Sequence, residues 1–250
     1  MERTLKDIAE IGYDGVELFV RDPDLLDVTA LNHLLEQTGL EVCCVGTAPL
    51  SAQDKLTMTD SDPQRRSSSI TAAKKLIDFT SLYGSIPVGI GKFRGNLPPN
   101  DRAIGWKWLR DGFLELCEYA EKKNVLIAVE PQGMTSVNNL ISTHDCVVWI
   151  EQFGIPNLGL LLDTFNLSGE NEPLIANIVE ATGHISHVHV ADSSRLPPGQ
   201  GAIDFVTVVR SLRATGYNGF LSAEIAQPQD ARGAAQKTWS YLNNILKLYA

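Results

Sequence analysis

VLIAVE at residues 125–130, LGLLLD at 158–163, HISHVH at 184–189 and GFLSAE at 219–224 share one layout. Each is a short, largely apolar run that ends on a side chain able to bind a metal: Glu130, Asp163, His189 and Glu224. Short runs of this kind, bounded by Gly, Pro, Asn or Asp, read as buried strands. Amphipathic stretches of helical length separate them. Strands alternating with helices imply parallel βαβ units.

Working outward, the same reading adds strands at Gly15–Phe19, Leu40–Thr47 and Ile86–Ile90. The four quoted runs become strands at Val125–Glu130, Leu158–Asp163, Ile185–Val190 and Gly219–Ile225. Helices are expected over Arg3–Ile11, Asp24–Gln37, Pro63–Tyr83, Arg102–Lys123, Thr143–Phe153, Pro173–Thr182, Phe205–Ala214 and Ala231–Leu248. Asp62 followed by Pro63 is a helix start, and Gly39, Gly84 and Gly216 mark helix ends. The stretches Ala48–Asp62 and Arg94–Asn100 read as irregular loops that follow strands.

The 250 residues suit one (β/α)₈ TIM barrel, and no linker or low-complexity segment divides them, so residues 1–250 are read as a single domain. The count is uneven, with eight helices and seven strands. The chain opens on a helix where such a barrel opens on a strand, so the first strand is missing from this reading. Two unpaired sheet edges would then face each other. Buried unpaired backbone groups cost roughly 1–3 kcal/mol each. The seam is therefore expected to take up water, a rearranged neighbouring segment or a dimer contact.

Composition narrows the function classes. A formal net charge of −9 disfavours nucleic acid and anionic membrane as partners. No apolar run approaches the ~18 residues of a membrane-spanning helix, and the start lacks the layout of a secretory signal. The four cysteines form no C-x-x-C pair and read as buried reduced thiols, so a cytoplasmic protein is expected.

In a parallel barrel the C-terminal ends of successive strands lie around one rim, so Glu130, Asp163, His189 and Glu224 can converge above its mouth. Side-chain alternation turns Ala128, Gly159 and Ser222 inward beneath three of them. Inward charges on apolar strands need a compensating partner. Three carboxylates and an imidazole suit one divalent ion of intermediate hardness, Mn²⁺ first, with Mg²⁺, Co²⁺ and Zn²⁺ as alternatives.

The stretches IAEIGYDGVELF, VEPQ, LGLLLDTFN, HVHVADSSRLPPGQGAIDF and GYNGFLSAEI, in this order, resemble the sugar phosphate isomerase/epimerase family of xylose isomerase-like barrels. That family includes the D-tagatose and D-psicose 3-epimerases. The resemblance implies a metal-dependent enzyme in which Glu130, Asp163, His189 and Glu224 hold the ion. It also implies that Glu130 and Glu224 remove and return a proton beside a carbonyl through a cis-enediolate. Arg195 matches an arginine that touches substrate oxygens. There are two departures. Asn166 stands in LDTFN where a histidine is common, and GMTSVNNL carries no second acidic residue. Both thin out acid/base groups near the substrate and leave the metal ligands unchanged.

The expected function is therefore a sugar isomerase or epimerase, with a small-molecule sugar as partner and a homodimer as one way to cover the seam. A lyase or deglycosidase on the same metal, an apurinic-site endonuclease-like enzyme, and a non-catalytic relative are the other readings. Substrate contacts are expected from Arg195, Asn166, Glu17 and Arg94. His187 is expected behind the ligands, and Trp106 and Trp108 in helix packing. Asp192 and Gln200 have no assigned role.

Overall fold

Val, Ile and Leu fill the strand centres because helices cover the outer face of the sheet while the inner face is closed on itself. The computed structural model describes residues 1–133, 135–170, 172–226 and 229–249. Among them are seven strands: β1 Gly15–Phe19, β2 Glu41–Gly46, β3 Pro87–Ile90, β4 Leu126–Val129, β5 Leu158–Asp163, β6 Ile185–Val190 and β7 Leu221–Ala223. They form one sheet in chain order, every neighbouring pair parallel. The result is a nearly closed TIM barrel.

The helices are α1 Glu2–Ile11, α2 Val28–Thr38, α3 Ala48–Ala52, α4 Pro63–Thr80, α5 Arg102–Glu121, α6 Thr143–Phe153, α7 Thr164–Leu167, α8 Leu174–Glu180, α9 Phe205–Ala214 and α10 Ala231–Leu246. Asp62 caps α4 through Gln64 N at 2.8 Å, as the Asp-Pro pair leads one to expect. Two short helices correct the sequence reading. α3 lies inside the stretch expected to be irregular, and α7 follows directly on β5. One turn of helix leaves too little periodicity to detect.

Apolar side chains pack in two layers. The larger lies between sheet and helices and includes Ile127, Leu160, Val188, Phe113 and Phe205. The smaller, Cys43, Cys44, Ala128 and Leu161 with Phe220 against them, groups separately. All four cysteines are free and buried. Among the described residues no helix is long and apolar enough to cross a membrane.

β1 and β7 do not pair with each other in this sheet. The seam is shielded from outside by α1 and α10. Tyr13 Oη donates to Ala235 O at 2.9 Å, and Trp239 Nε1 donates to Gly12 O at 2.7 Å. Arg232 pairs with Asp7 and Glu10. A cleft of about 660 Å³ remains, bordered by Tyr13, Val16, Phe220, Leu221 and Trp239.

Met1 lies beside Leu18, Phe19 and Val20 at the C-terminal end of β1, so a strand joined ahead of α1 would reach the same rim as its neighbours. An extension with a five-residue Val/Ile-rich strand is expected to raise the melting temperature. Each new backbone hydrogen bond contributes about 1 kcal/mol, and each kcal/mol is worth roughly 2–4 °C in a domain this size. Calorimetry of extended and unextended chains checks it. An unchanged midpoint would mean that the helix cover already satisfies the edges.

Candidate metal and active site

The four strand-end residues come together as their spacing suggests. Asp163 and His189 are direct neighbours across β5 and β6. His189 is paired with Ser222 on β7, two residues before Glu224. One ligand atom from each of Glu130, Asp163, His189 and Glu224 lies within 4.8 Å of the others. The first three residues are buried and Glu224 is half-exposed at the mouth.

Each of the four side chains is held by its surroundings. Glu130 accepts from Gln132 Nε2 at 2.7 Å on one oxygen and from Asn166 Nδ2 at 2.9 Å on the other. Gly91 is required for this. A Cβ there would sit 2.6 Å from Glu130 Oε2 and 2.7 Å from Gln132 Nε2. Asp163 caps α7 with Oδ1, accepting from Phe165 N at 2.9 Å. Its Oδ2 lies 2.8 Å from Arg195 but lacks a hydrogen bond of good alignment. The cap thus uses one oxygen of the carboxylate, and the other faces Arg195 and the cluster.

His189 Nε2 lies 2.7 Å from Glu17 Oε2, while its buried Nδ1 has no hydrogen-bond partner among the described residues and faces Glu224 at 3.5 Å. A carboxylate on one ring nitrogen fixes the tautomer and leaves the other free to ligate. Glu17 therefore needs correcting as an expected substrate contact. It points inward as expected, but its carboxylate is engaged by His189 and lies 3.4 Å from His187. His187 is buried, 2.8 Å from Ser222 Oγ.

Arg94 is a second correction. It is wholly buried and does not open into the mouth. Its guanidinium donates to the carbonyls of Gly91, Glu130, Asn139 and Leu140 and to Asn139 Oδ1. It ties the loop after β4 to the backbone of Glu130. Leu140 sits at φ 45, an unfavourable region for a branched residue, and that clamp holds it there.

Arg195 and Asn166 do lie at the site. The Arg195 guanidinium spans Asp163 and Glu224 and stacks on Phe165, 4.7 Å from the ring centre. Ser194 and Arg195 both have positive φ, 61 and 55. The residue that sequence reading left without a role is Asp192. Wholly buried, it accepts from the backbone N–H of Ser193, Gly199, Gly201 and Ile203 at 2.8–2.9 Å. The glycines at 199 and 201 were the available hint, since a carboxylate close to a Gly-rich loop can collect its amides. Trp106 and Trp108 lie outside the mouth. Trp106 faces a groove beside α6, and Arg66 stacks on Trp108.

The electrostatics divide the carboxylates. Burial pushes Glu130 up to about 7, with Asp163 and Glu224 adding to the rise against His189. Burial also raises Asp163 to about 6, opposed by Arg195. Burial works the same way on Glu224, but His189 and Arg195 outweigh it and hold that group below its ordinary value. For His189 burial disfavours the charge, and Glu17 more than reverses this.

Comparison with known proteins agrees with this architecture. The model of the xylose isomerase-like TIM barrel family matches residues 5–245. The chain is similar to an L-ribulose 3-epimerase of Methylomonas sp. (strain DH-1), 25% identical over 232 residues, covering 88% of this chain and 78% of the relative. It is also similar to a 3-dehydro-D-guloside 4-epimerase of Escherichia coli (strain K12), 24% identical over 227 residues, 87% of this chain and 84% of that one. The crystal structure of a D-allulose 3-epimerase from Methylomonas sp. in complex with D-allulose superimposes with a TM-score of 0.81. That pair is 20% identical, with 97% and 90% of the two chains covered, and the likeness speaks for the fold. With a seven-stranded parallel barrel and the family match running almost end to end, the chain belongs to the xylose isomerase-like TIM barrel family.

Proposed function

We propose that this protein is a metal-dependent epimerase or isomerase of a small sugar or related polyhydroxy carbonyl compound, with Mn²⁺ as its ion. One observation carries the reading: four candidate ligand atoms converge within 4.8 Å on the rim, and buried His189 Nδ1 has no hydrogen-bond partner among the described residues. Three carboxylates and one imidazole fit a divalent ion of intermediate hardness. When bound there by Glu130, Asp163, His189 and Glu224, the ion supplies Lewis-acid charge for a carbonyl and its neighbouring hydroxyl.

The residues themselves provide the proton chemistry. Glu224, kept ionised by His189 and Arg195, is the base that takes a proton from the carbon beside the carbonyl. Glu130, across the cluster from Glu224, is the group that returns one to the resulting cis-enediolate. Arg195 steadies negative charge on substrate oxygens, and Asn166 orients Glu130. The relatives named as epimerases of L-ribulose and of 3-dehydro-D-guloside support proton transfer beside a carbonyl as the chemistry.

The test is turnover in D₂O with a panel of ketoses and keto-glycosides, on protein loaded with Mn²⁺. Deuterium is expected at the carbon next to the carbonyl in the product. Loss of water or of an aglycone would assign elimination instead. Turnover with no solvent deuterium would count against the carboxylate pair.

A second expectation concerns pH. In the folded chain Glu130 and Asp163 bind protons more tightly than the ordinary values of 4.5 and 3.8. Their contribution to stability is therefore complete below about pH 4 and is lost as pH rises through 6 to 7. A divalent ion competes with those same protons. The gap in melting temperature between Mn²⁺-loaded and chelator-treated protein should widen from pH 5 to about pH 7.5. A gap independent of pH would show that these carboxylates are not the ligands.

A further inference from the structure

On the outer wall of the barrel, α5, α6 and the loop before α6 border a groove of about 740 Å³. Its size falls in the range of small-ligand pockets. Arg102, Trp106 and Arg110 follow one another at four-residue steps on α5 and so share a face, with Lys107 alongside. Val148 and Trp149 of α6 form the apolar side. Trp149 is fixed in place by edge contact with Phe113, 4.7 Å between ring centres.

The charges in this groove run against the rest of the chain. In a protein of formal net charge −9, three lining residues are Arg or Lys and one, Asp145, is acidic. Lys107 pairs with Asp111, and Arg102 donates to Asn138 O at 3.0 Å. Arg110 has no ion pair among the described residues, although it borders the apolar floor. A guanidinium beside an indole suits a flat group that carries negative charge: the plane stacks and the anion pairs.

The end of the groove is also a wall of the catalytic loop. Asn138, Asn139 and Leu140 line it. Arg94 binds the carbonyls of Asn139 and Leu140 with one nitrogen and the carbonyl of Glu130 with another. One buried side chain therefore joins the groove to a candidate metal ligand.

We propose that the groove between α5 and α6 is a second ligand site, that it takes a small aromatic or planar carboxylate, and that its occupancy is sensed at Glu130 through Arg94. The sensing part rests on the metal reading given above; the binding part does not. Coupling of this kind is reciprocal, so ligand and metal must change each other's affinity by the same factor.

The probe is naphthalene-2-carboxylate, titrated calorimetrically into the wild-type chain with and without saturating Mn²⁺. Naphthalene-2-carboxamide serves as the uncharged control. Saturable one-to-one binding is expected, at least tenfold weaker for the carboxamide and for an Arg102→Ala/Arg110→Ala double variant. Both arginines are exposed on the helix surface, so the variant should keep the wild-type melting temperature. A threefold or larger change in affinity with Mn²⁺ is expected as well. Absence of saturable binding, or equal binding by the double variant, would overturn the site. Equal affinity with and without metal, in a chain that demonstrably binds Mn²⁺, would overturn the sensing. A chain that binds the carboxylate but no Mn²⁺ would leave the site standing and refute the metal reading.

Discussion

Glu224→Gln should leave a folded protein that has lost its bound metal and turns over at least about a thousandfold more slowly. The substitution keeps the shape of the side chain and removes its charge. Glu224 is half-exposed at the rim, so little packing is disturbed and the melting temperature should stay within a few degrees of the parent under chelated conditions. The chemistry depends on that charge. Glu224 pairs with Arg195 and lies 3.5 Å from His189 Nδ1, and both keep it ionised as a base. An amide can neither accept the proton nor neutralise a divalent ion. Glu130→Gln should be as damaging to turnover and costlier to stability, because its buried oxygens accept from both Gln132 and Asn166. An amide nitrogen facing either donor leaves a mismatched pair in the interior. Elemental analysis of protein purified without chelator, alongside the turnover assay, separates metal loss from proton-transfer loss. Full metal content and full activity in Glu224→Gln would refute the site as drawn.

These four residues were legible because a charge at the end of an apolar run contradicts its surroundings. Strands at Gly15–Phe19, Leu158–Asp163 and Ile185–Val190 were legible to the residue for a related reason, their bounding Gly, Asn and Asp residues. What lay out of reach was partnership across distance. Arg94 in KFRG at 92–95 follows a strand and reads as a substrate contact, yet among the described residues it is the largest wholly buried side chain. Its role depends on carbonyls near residue 140, whose arrangement no local pattern announces. Glu17 is similar. Strand parity turns it inward, but a bulge between Val16 and Glu17 and a partner 172 residues away decide that it meets His189.

Asp192 is the strongest case of such partnership, and replacing it by Ala should cripple the enzyme without touching a ligand. Its carboxylate collects four backbone N–H groups, two on each oxygen: Ser193 and Ile203 on Oδ1, Gly199 and Gly201 on Oδ2. Those bonds close the loop that carries Arg195 in a positive-φ conformation, which costs a non-glycine residue of order 1–3 kcal/mol. Without the carboxylate the loop has nothing to offset that strain, and four amides lose their acceptor. Orphaned donors cost about 1–3 kcal/mol each where water cannot reach them. A net loss of roughly 3–5 kcal/mol is expected, which lowers the melting temperature by about 6–20 °C. Asp192→Asn keeps one oxygen acceptor and should fall between. The sign of the pH effect follows from the same bonds. Burial alone would raise this carboxyl, but the four amides outweigh it and lower it. Its stabilisation is therefore present above the ordinary carboxylate range and is lost as pH falls through its depressed value. Removing Asp192 should accordingly reduce the chain's acid lability while lowering its stability at neutral pH. At the active site, Arg195 would no longer be held over Phe165 and between Asp163 and Glu224. The ratio kcat/KM should fall about a hundredfold or more, while Mn²⁺ content stays near that of the parent because the four proposed ligands sit on strand ends outside the loop. Retention of metal with loss of turnover identifies Asp192 as a positioning residue for Arg195. Unchanged stability and turnover in Asp192→Ala would show that the loop holds itself.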